Sequence, residues 1–311
     1  MHQGYDDRSR LEFVNYTLDY GISGSKVKHN YEYYFIYDSM GNLSTATLTW
    51  LGNVNASISY SYNDALWRMT GKDITFSDGT NEIEIETGYS FLPGTVGETG
   101  TQTSHLVGGY RSEIVGVENT VYTYTYDDNG NITDIKVNGV LHYKYYYDDL
   151  GQLIQENNKP LGKAYVWEYD KAGNIKLEKT YDYSTGEVGA LLSTKTYTYG
   201  NSNWRDQLTN LNGTTISYDN VGNPLNYYSK DYNWGLTWNG RQLVSMSEDM
   251  DGQSLSFTYN DSGIRTSKLV DETTLHTYTL NGTQIISEEF GSRLIIYFYD
   301  YLKRKIFLNH Y

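Results

Sequence analysis

Adjacent carboxylates are the first residues here whose type and spacing could do chemistry: Asp127-Asp128 and Asp148-Asp149. A glycosidase needs two such acids at a defined separation across a cleft, one of them with a raised pKa. Both pairs stand instead in short Gly-containing stretches of the repeat, which read as exposed turns where each acid is ionised. Calcium is the next chemistry to weigh, because "DDNGN" at 127 to 131 and "SEDMDGQS" at 247 to 254 are rich in oxygen ligands. The calcium-loop register is not met: Thr258 stands where the second stretch would need its closing Glu. Asp251-Gly252 reads more simply as a hairpin turn.

The remaining reactive residues do not assemble into a motif. His2, His29, His105, His142, His276 and His310 include no pair four residues apart, so strand or surface positions are expected for them. "GISGS" at 21 to 25 misses the nucleophile elbow because Ser25 replaces the final Gly. "GTVGETGT" at 94 to 101 lacks the Lys of a phosphate loop. Lys303-Arg304-Lys305 is too short for a nucleic-acid or membrane patch. Cysteine is absent, which removes disulfides, thiolate metal sites and a Cys nucleophile together. No catalytic, cofactor-binding or metal-ligating residue is assigned.

The acids belong to a repeat. Aligned on tyrosine, the copies are Tyr37-Asp38 with Gly41, Tyr126-Asp127 with Gly130, Tyr147-Asp148 with Gly151, Tyr169-Asp170 with Gly173, and Tyr218-Asp219 with Gly222. Tyr259-Asn260 with Gly263 swaps Asn for Asp. Weaker members start at Tyr62 (one residue longer), Tyr199 (stretched), Trp238 (one shorter) and Tyr278 (turn only). From residue 199 the anchors fall at 199, 218, 238, 259, 278 and 299, a spacing that suits one two-stranded hairpin per copy.

Each position has a mechanical reading. Aromatic residues alternate ahead of the Asp: Tyr122, Tyr124 and Tyr126; Tyr31, Tyr33, Phe35 and Tyr37; Tyr165, Trp167 and Tyr169. A period of two places each set on one face of a strand. The Asp carboxylate accepts backbone amides where the strand stops. Gly supplies the positive φ of the turn, and Leu or Ile two residues later opens the return strand, with Pro224 the exception. The opposite hairpin ends carry Asn138-Gly139, Asn212-Gly213 and Asn281-Gly282, good two-residue turns. Burying one Tyr ring contributes about 2 kcal/mol, more than a turn hydrogen bond. The rings are thus expected to hold the array and the Asp and Gly to set its register.

Composition agrees: 34 tyrosines and 30 glycines stand beside 3 prolines, a mixture that favours pleated strands and tight turns. A net charge of −14 argues against nucleic acid as partner. No apolar run is long enough for a membrane span, and the N-terminus "MHQGYDDRSRLEFVNY" has no signal-peptide core.

On the Tyr-Asp-x-x-Gly series the chain resembles the YD-repeat family: Rhs proteins, bacterial wall-associated polymorphic toxins, insecticidal toxin-complex C components and teneurins. The resemblance spans about residues 31 to 300 and is weakest at 76 to 120. It implies a β-hairpin ribbon that spirals into a hollow shell, enclosing a C-terminal toxin domain in the bacterial members or serving adhesion in teneurins. Partners implied are that toxin domain and further repeats. Neither the self-cleaving segment that ends the bacterial repeat region nor a toxin domain has a match here, so the expectation is a piece of shell.

The expected fold is therefore all-β, with tandem antiparallel hairpins forming a curved ribbon. Residues 1–311 are read as a single array, with 1–30 as a candidate cap, 76–120 degenerate or loop-bearing, and 121–300 holding the best repeats. The expected function is a non-enzymatic scaffold, extracellular or at the cell surface within a larger exported protein. The rival is a carbohydrate-binding or adhesion module that uses Trp50, Trp67, Trp167, Trp204, Trp234 and Trp238 on cell-wall glycan; alternation favours packing for most of these rings. Strand edges left unpaired at the ends would invite edge-to-edge self-association.

Overall fold

The computed structural model describes residues 2–20, 27–50, 53–77, 80–94, 103–229, 232–249, 252–299 and 305–310. The chain is all-β: its described regular elements are strands, most of them paired antiparallel with their neighbours in sequence, although Thr214–Thr215 and Asn226–Ser229 belong to different sheets. By contacts it groups into two compact units, Met1–Lys163 with Phe298–Lys305, and Ala164–Tyr297 with Ile306–Tyr311.

The first unit runs through β1 (His2–Tyr5), β2 (Leu11–Tyr20), β3 (Val27–Tyr37), β4 (Leu43–Trp50), β5 (Asn53–Ser61), β6 (Gly71–Ser77), β7 (Glu82–Pro93), β8 (Thr103–Ile114), β9 (Glu118–Tyr126), β10 (Ile132–Val137), β11 (Val140–Tyr147) and β12 (Leu153–Asn158). Each pairs with the next. Its buried residues concentrate on one face of β3 to β6, where Tyr31, Tyr33, Leu43, Ala46, Leu48, Ala56, Ile58, Tyr60 and Ile74 close the core. Small Ala46 and Ala56 sit beside the large rings, which lets facing rows interlock. The described residues of 76 to 120, read as degenerate or loop-bearing, include β7, β8 and the start of β9; Gly108 and Gly109 sit inside β8, where glycine marks close packing.

The remaining strands, mostly of the second unit, are β13 (Lys163–Tyr169), β14 (Ile175–Asp182), β15 (Leu191–Thr198), the short β16 (Asn210–Leu211) and β17 (Thr214–Thr215), then β18 (Asn226–Ser229), β19 (Tyr232–Asn239), β20 (Gln242–Glu248), β21 (Ser254–Tyr259), β22 (Arg265–Val270), β23 (Thr274–Asn281), β24 (Gln284–Phe290), β25 (Arg293–Tyr299) and β26 (Lys305–His310). Among the described residues of the second unit, Ala164, Phe257, Ile286, Leu294 and Tyr297 are buried apolar side chains.

A bulge recurs beside the anchor aromatic. Ile36 pairs with Thr45 but Tyr37 with Leu43, so Ser44 is left over. Thr133, Ile154, Val244 and Thr266 are left over in the same way beside Tyr126, Tyr147, Trp238 and Tyr259. An extra residue on one strand bends it and increases its twist. The same local bend therefore recurs beside the anchor aromatic in each of these hairpins.

Candidate functional site

The repeat turns are where the polar chemistry of the chain is gathered. In the copy that starts at Tyr126, Asp127 Oδ1 accepts the amides of Asn129 at 3.0 Å and Asn131 at 2.8 Å. Asp127 Oδ2 accepts the side-chain amide of Asn131 at 2.9 Å. The Asp127 amide donates to the Asn131 carbonyl at 2.9 Å, and Gly130 donates to the Asp127 carbonyl at 3.1 Å. Gly130 closes the turn at φ 85°, a conformation costly for a residue with a Cβ. Asp38, Asp170 and Asp219 make the same bonds to Asn42, Asn174 and Asn223. Asp148 accepts the amides of Leu150 and Gln152, and Asn260 those of Ser262 and Ile264. Gly41, Gly151, Gly173, Gly222 and Gly263 also have positive φ.

A second set of bonds ties each turn to the one before it. Tyr37 Oη donates to the Leu11 carbonyl at 2.9 Å, Tyr62 to Leu43 at 3.0 Å, Tyr126 to Val107 at 2.7 Å and Tyr147 to Ile132 at 2.9 Å. In the second unit Tyr199 reaches Ile175 at 3.0 Å, Tyr218 reaches Leu208 at 2.7 Å and Tyr259 reaches Leu243 at 2.7 Å. The shortened copy keeps the rung with another donor, since Trp238 Nε1 donates to the Pro224 carbonyl at 2.7 Å. Leu11, Leu43, Ile132 and Ile175 open the return strand of the previous turn, Leu208, Pro224 and Leu243 follow the previous turn closely, and Val107 lies inside β8. Tyr169, half-buried at the end of β13, precedes Asp170 in the same arrangement of strand and turn.

Sequence reasoning missed one further turn of this kind, at Asp6, and the weaker copy at Tyr62 shares its design. Asp6 accepts the amides of Arg8 and Arg10, with Ser9 in the glycine position at φ 60°; residues read as a candidate cap thus carry a hairpin of the common design. Asp64 accepts the amides of Leu66 and Arg68, with Trp67 in the glycine position at φ 55°. In both, an Arg replaces the Asn and its guanidinium pairs with the Asp carboxylate. The signal was present as Tyr5-Asp6 followed by Leu11, the spacing that separates Tyr126-Asp127 from Ile132. At the opposite hairpin ends, Asn138-Gly139 and Asn212-Gly213 both have positive φ. So does Asp271-Glu272, a turn without glycine; Asp271 accepts the Ser254 amide at 2.8 Å, as Asn138 accepts that of Val121.

These bonds decide the electrostatics. The Asn131 side chain, then the backbone amides, hold the Asp127 carboxyl below the usual carboxylate range, and Asn174 does the same for Asp170. Desolvation raises Asp38 and Asp219, but their amide and Asn bonds outweigh it, so both are lowered as well. A general acid needs the opposite shift. Asp128 and Asp149 are exposed beside them. Burial raises the phenols of Tyr126, Tyr147, Tyr199 and Tyr218, which keeps the rung hydroxyls protonated donors at neutral pH.

The histidines are dispersed. His276 Nδ1 lies 2.7 Å from Glu288 Oε1 and its ring stacks on Phe290; Tyr297 also donates to Glu288. His2 packs on Phe13 and His142 on Tyr143. Among the described residues no group of three or more His, Asp or Glu is placed to hold a metal. Residues 21 to 25, 95 to 101, Asp251 and Lys303-Arg304 lie outside the described residues, as do the side chains of His29, Trp50, Lys305 and His310. Of the tryptophans, Trp67 and Trp204 are 55% and 51% exposed, while Trp167 stacks on Tyr165.

Strand content, hairpin spacing and rung bonds together define a tandem antiparallel β-hairpin repeat protein. No family model matches the chain, and no curated protein matches it. Among solved structures, TcdB2-TccC3 aligns over 98% of this chain and 20% of its own, at 13% identity and a TM-score of 0.40. TcdB2-TccC3 without its hypervariable C-terminal region aligns over 98% and 19%, at 12% identity and a TM-score of 0.39. A porin-like protein from Bacteroides uniformis aligns over 90% and 94%, at 12% identity and a TM-score of 0.22. The chain spans about a fifth of the TcdB2-TccC3 chains it matches.

Proposed function

We propose that the chain is a non-enzymatic structural scaffold, a segment of an Rhs-type shell that encloses and helps deliver a C-terminal toxin domain in the complete protein. The observation that carries this reading is the rung: the anchor hydroxyls donate from one hairpin to the next, while the turn carboxylates are engaged by amides of their own turns. Groups so engaged stiffen a wall. The recurring bulge supports a wall that curves. Such a scaffold works outside the producing cell as part of a larger exported protein, and no described helix is long and apolar enough to cross a membrane.

Electron cryo-microscopy of the gene product that contains this chain tests the reading. The expected result is a closed wall with density inside it, and a C-terminal domain that resists protease until the wall is opened. An extended ribbon with that domain exposed would overturn it.

A second reading has one observation in its favour, the exposed indoles of Trp67 and Trp204, which suit a surface module for cell-wall glycan. Saturable binding to peptidoglycan or polysaccharide that disappears in Trp67→Ala and Trp204→Ala would favour it over the scaffold.

A further inference from the structure

Three tyrosines stand in one row across β7, β8 and β9. Tyr89 pairs directly with Tyr110, and Tyr110 with Tyr122. Directly opposed residues of an antiparallel sheet project from the same face with their Cβ atoms adjacent. The ring centroids are 5.1 Å apart for Tyr89 and Tyr110 and 5.9 Å for Tyr110 and Tyr122, with the planes tilted by 41° and 36°. Both phenols of each pair project from the same face, so their rings stand side by side across the strand gap. Tyr110 and Tyr122 of the row line a trough of about 530 Å³ with Tyr124, Ser112, Thr120 and Glu118, which gives a small oxidant a way in and a released proton a way out.

We propose that Tyr89, Tyr110 and Tyr122 form an oxidative cross-linking site, at which an oxidant of the peroxide class joins Tyr110 to Tyr89 or to Tyr122 by a carbon–carbon bond. Each of two phenols gives up one electron and one proton. The resulting radicals, delocalised onto the ortho carbons, pair to form the bond, and the two ortho hydrogens move to the oxygens as the rings regain aromaticity. Hydrogen peroxide takes the two electrons and two protons and leaves as two waters, so the protein becomes lighter by two hydrogens. Neighbouring phenols gather at the same place: the Tyr124 hydroxyl, raised first by burial, is raised further by Tyr126, Tyr122, Tyr110 and Tyr89. In a chain without cysteine the product is a covalent staple across the β7–β8 hairpin or between β8 and β9, and closing such a loop restricts the unfolded chain.

The test treats the whole chain with hydrogen peroxide and a small haem peptide, and reads dityrosine fluorescence in the monomer fraction with peptide mass mapping. The expected product links Tyr110 to Tyr89 or Tyr122 within one molecule and is lost in Tyr110→Phe, which keeps the ring and the packing. Tyr227→Phe, at a residue 56% exposed, is expected to leave the yield unchanged. Where Tyr110→Phe fails to fold by circular dichroism, the double variant Tyr89→Phe with Tyr122→Phe serves in its place. Monomer dityrosine that persists in either variant, or links found only between molecules, would overturn the proposal.

Discussion

The hydroxyl of Tyr259 donates to the backbone carbonyl of Leu243 at 2.7 Å, so the last residue of one strand is bolted to the turn of the previous hairpin. Tyr259→Phe keeps the ring and leaves that carbonyl without its partner. A loss of about 1 kcal/mol is expected, seen as a lower urea midpoint with an unchanged slope. An unchanged midpoint would mean that the rung hydroxyl contributes nothing.

Two glycines of the second unit separate conformational cost from crowding. Gly213 and Gly222 have φ of 90° and 89°. A Cβ at Gly213 would meet nothing within 4 Å, whereas one at Gly222 would come within 2.5 Å of the Trp204 ring. Gly213→Ala is expected to cost about 1–2 kcal/mol for the left-handed backbone alone, and Gly222→Ala clearly more. Equal midpoints in thermal or urea unfolding would remove Trp204 from the account.

Ser9 occupies at φ 60° the position that glycine fills in the stronger copies. Ser9→Gly relieves that strain and gives back part of the gain through the greater freedom of glycine in the unfolded chain. A net stabilisation below about 1 kcal/mol is expected. A fall in the unfolding midpoint would show that the Ser9 side chain does something beyond filling the turn.

Acid and alkali should weaken the wall through different groups. Asp38, Asp127, Asp170 and Asp219 are lowered in the fold, so their contribution is present above the unfolded value near 3.8 and is lost as pH falls through the folded values. Burial, followed by Glu156 and Glu178 respectively, pushes Tyr145 and Tyr197 up to about 12. Their contribution is full below 10.0 and is lost as pH rises toward 12. Urea midpoints measured across the pH range should be flat between these limits. Asp127→Asn, which keeps an acceptor as Asn260 does, should fold at neutral pH with a shallower acid limb; an unaltered limb would count against the turn carboxylates.

Much of the array is written locally. Tyr126, Asp127, Gly130 and Ile132 specify a strand end, a capped turn, a positive φ and a return strand within seven residues, so composition and spacing expose them. Ser9 hides one turn, and Trp67 weakens the signature of the copy at Tyr62, because the backbone accepts a strained residue once Asp6 and Asp64 bind the same amides. The bond from Tyr126 to Val107 joins residues of different hairpins, and Val107 carries no turn motif of its own. The segment before residue 120 therefore looks irregular in sequence while supplying a rung in space. Leftover residues such as Ser44 and Thr133 have no compositional mark, because a bulge is a property of the pairing and not of the residue.

Hydrogen exchange at the turn amides of Asn42, Asn131, Gln152, Asn174 and Asn223 measures the shared architecture most directly. Each donates to an Asp four residues earlier, so all should exchange slowly, in step with the strand amides beside them. Exchange at these positions as fast as at the open turn of Gly116 would contradict a wall held together at its turns.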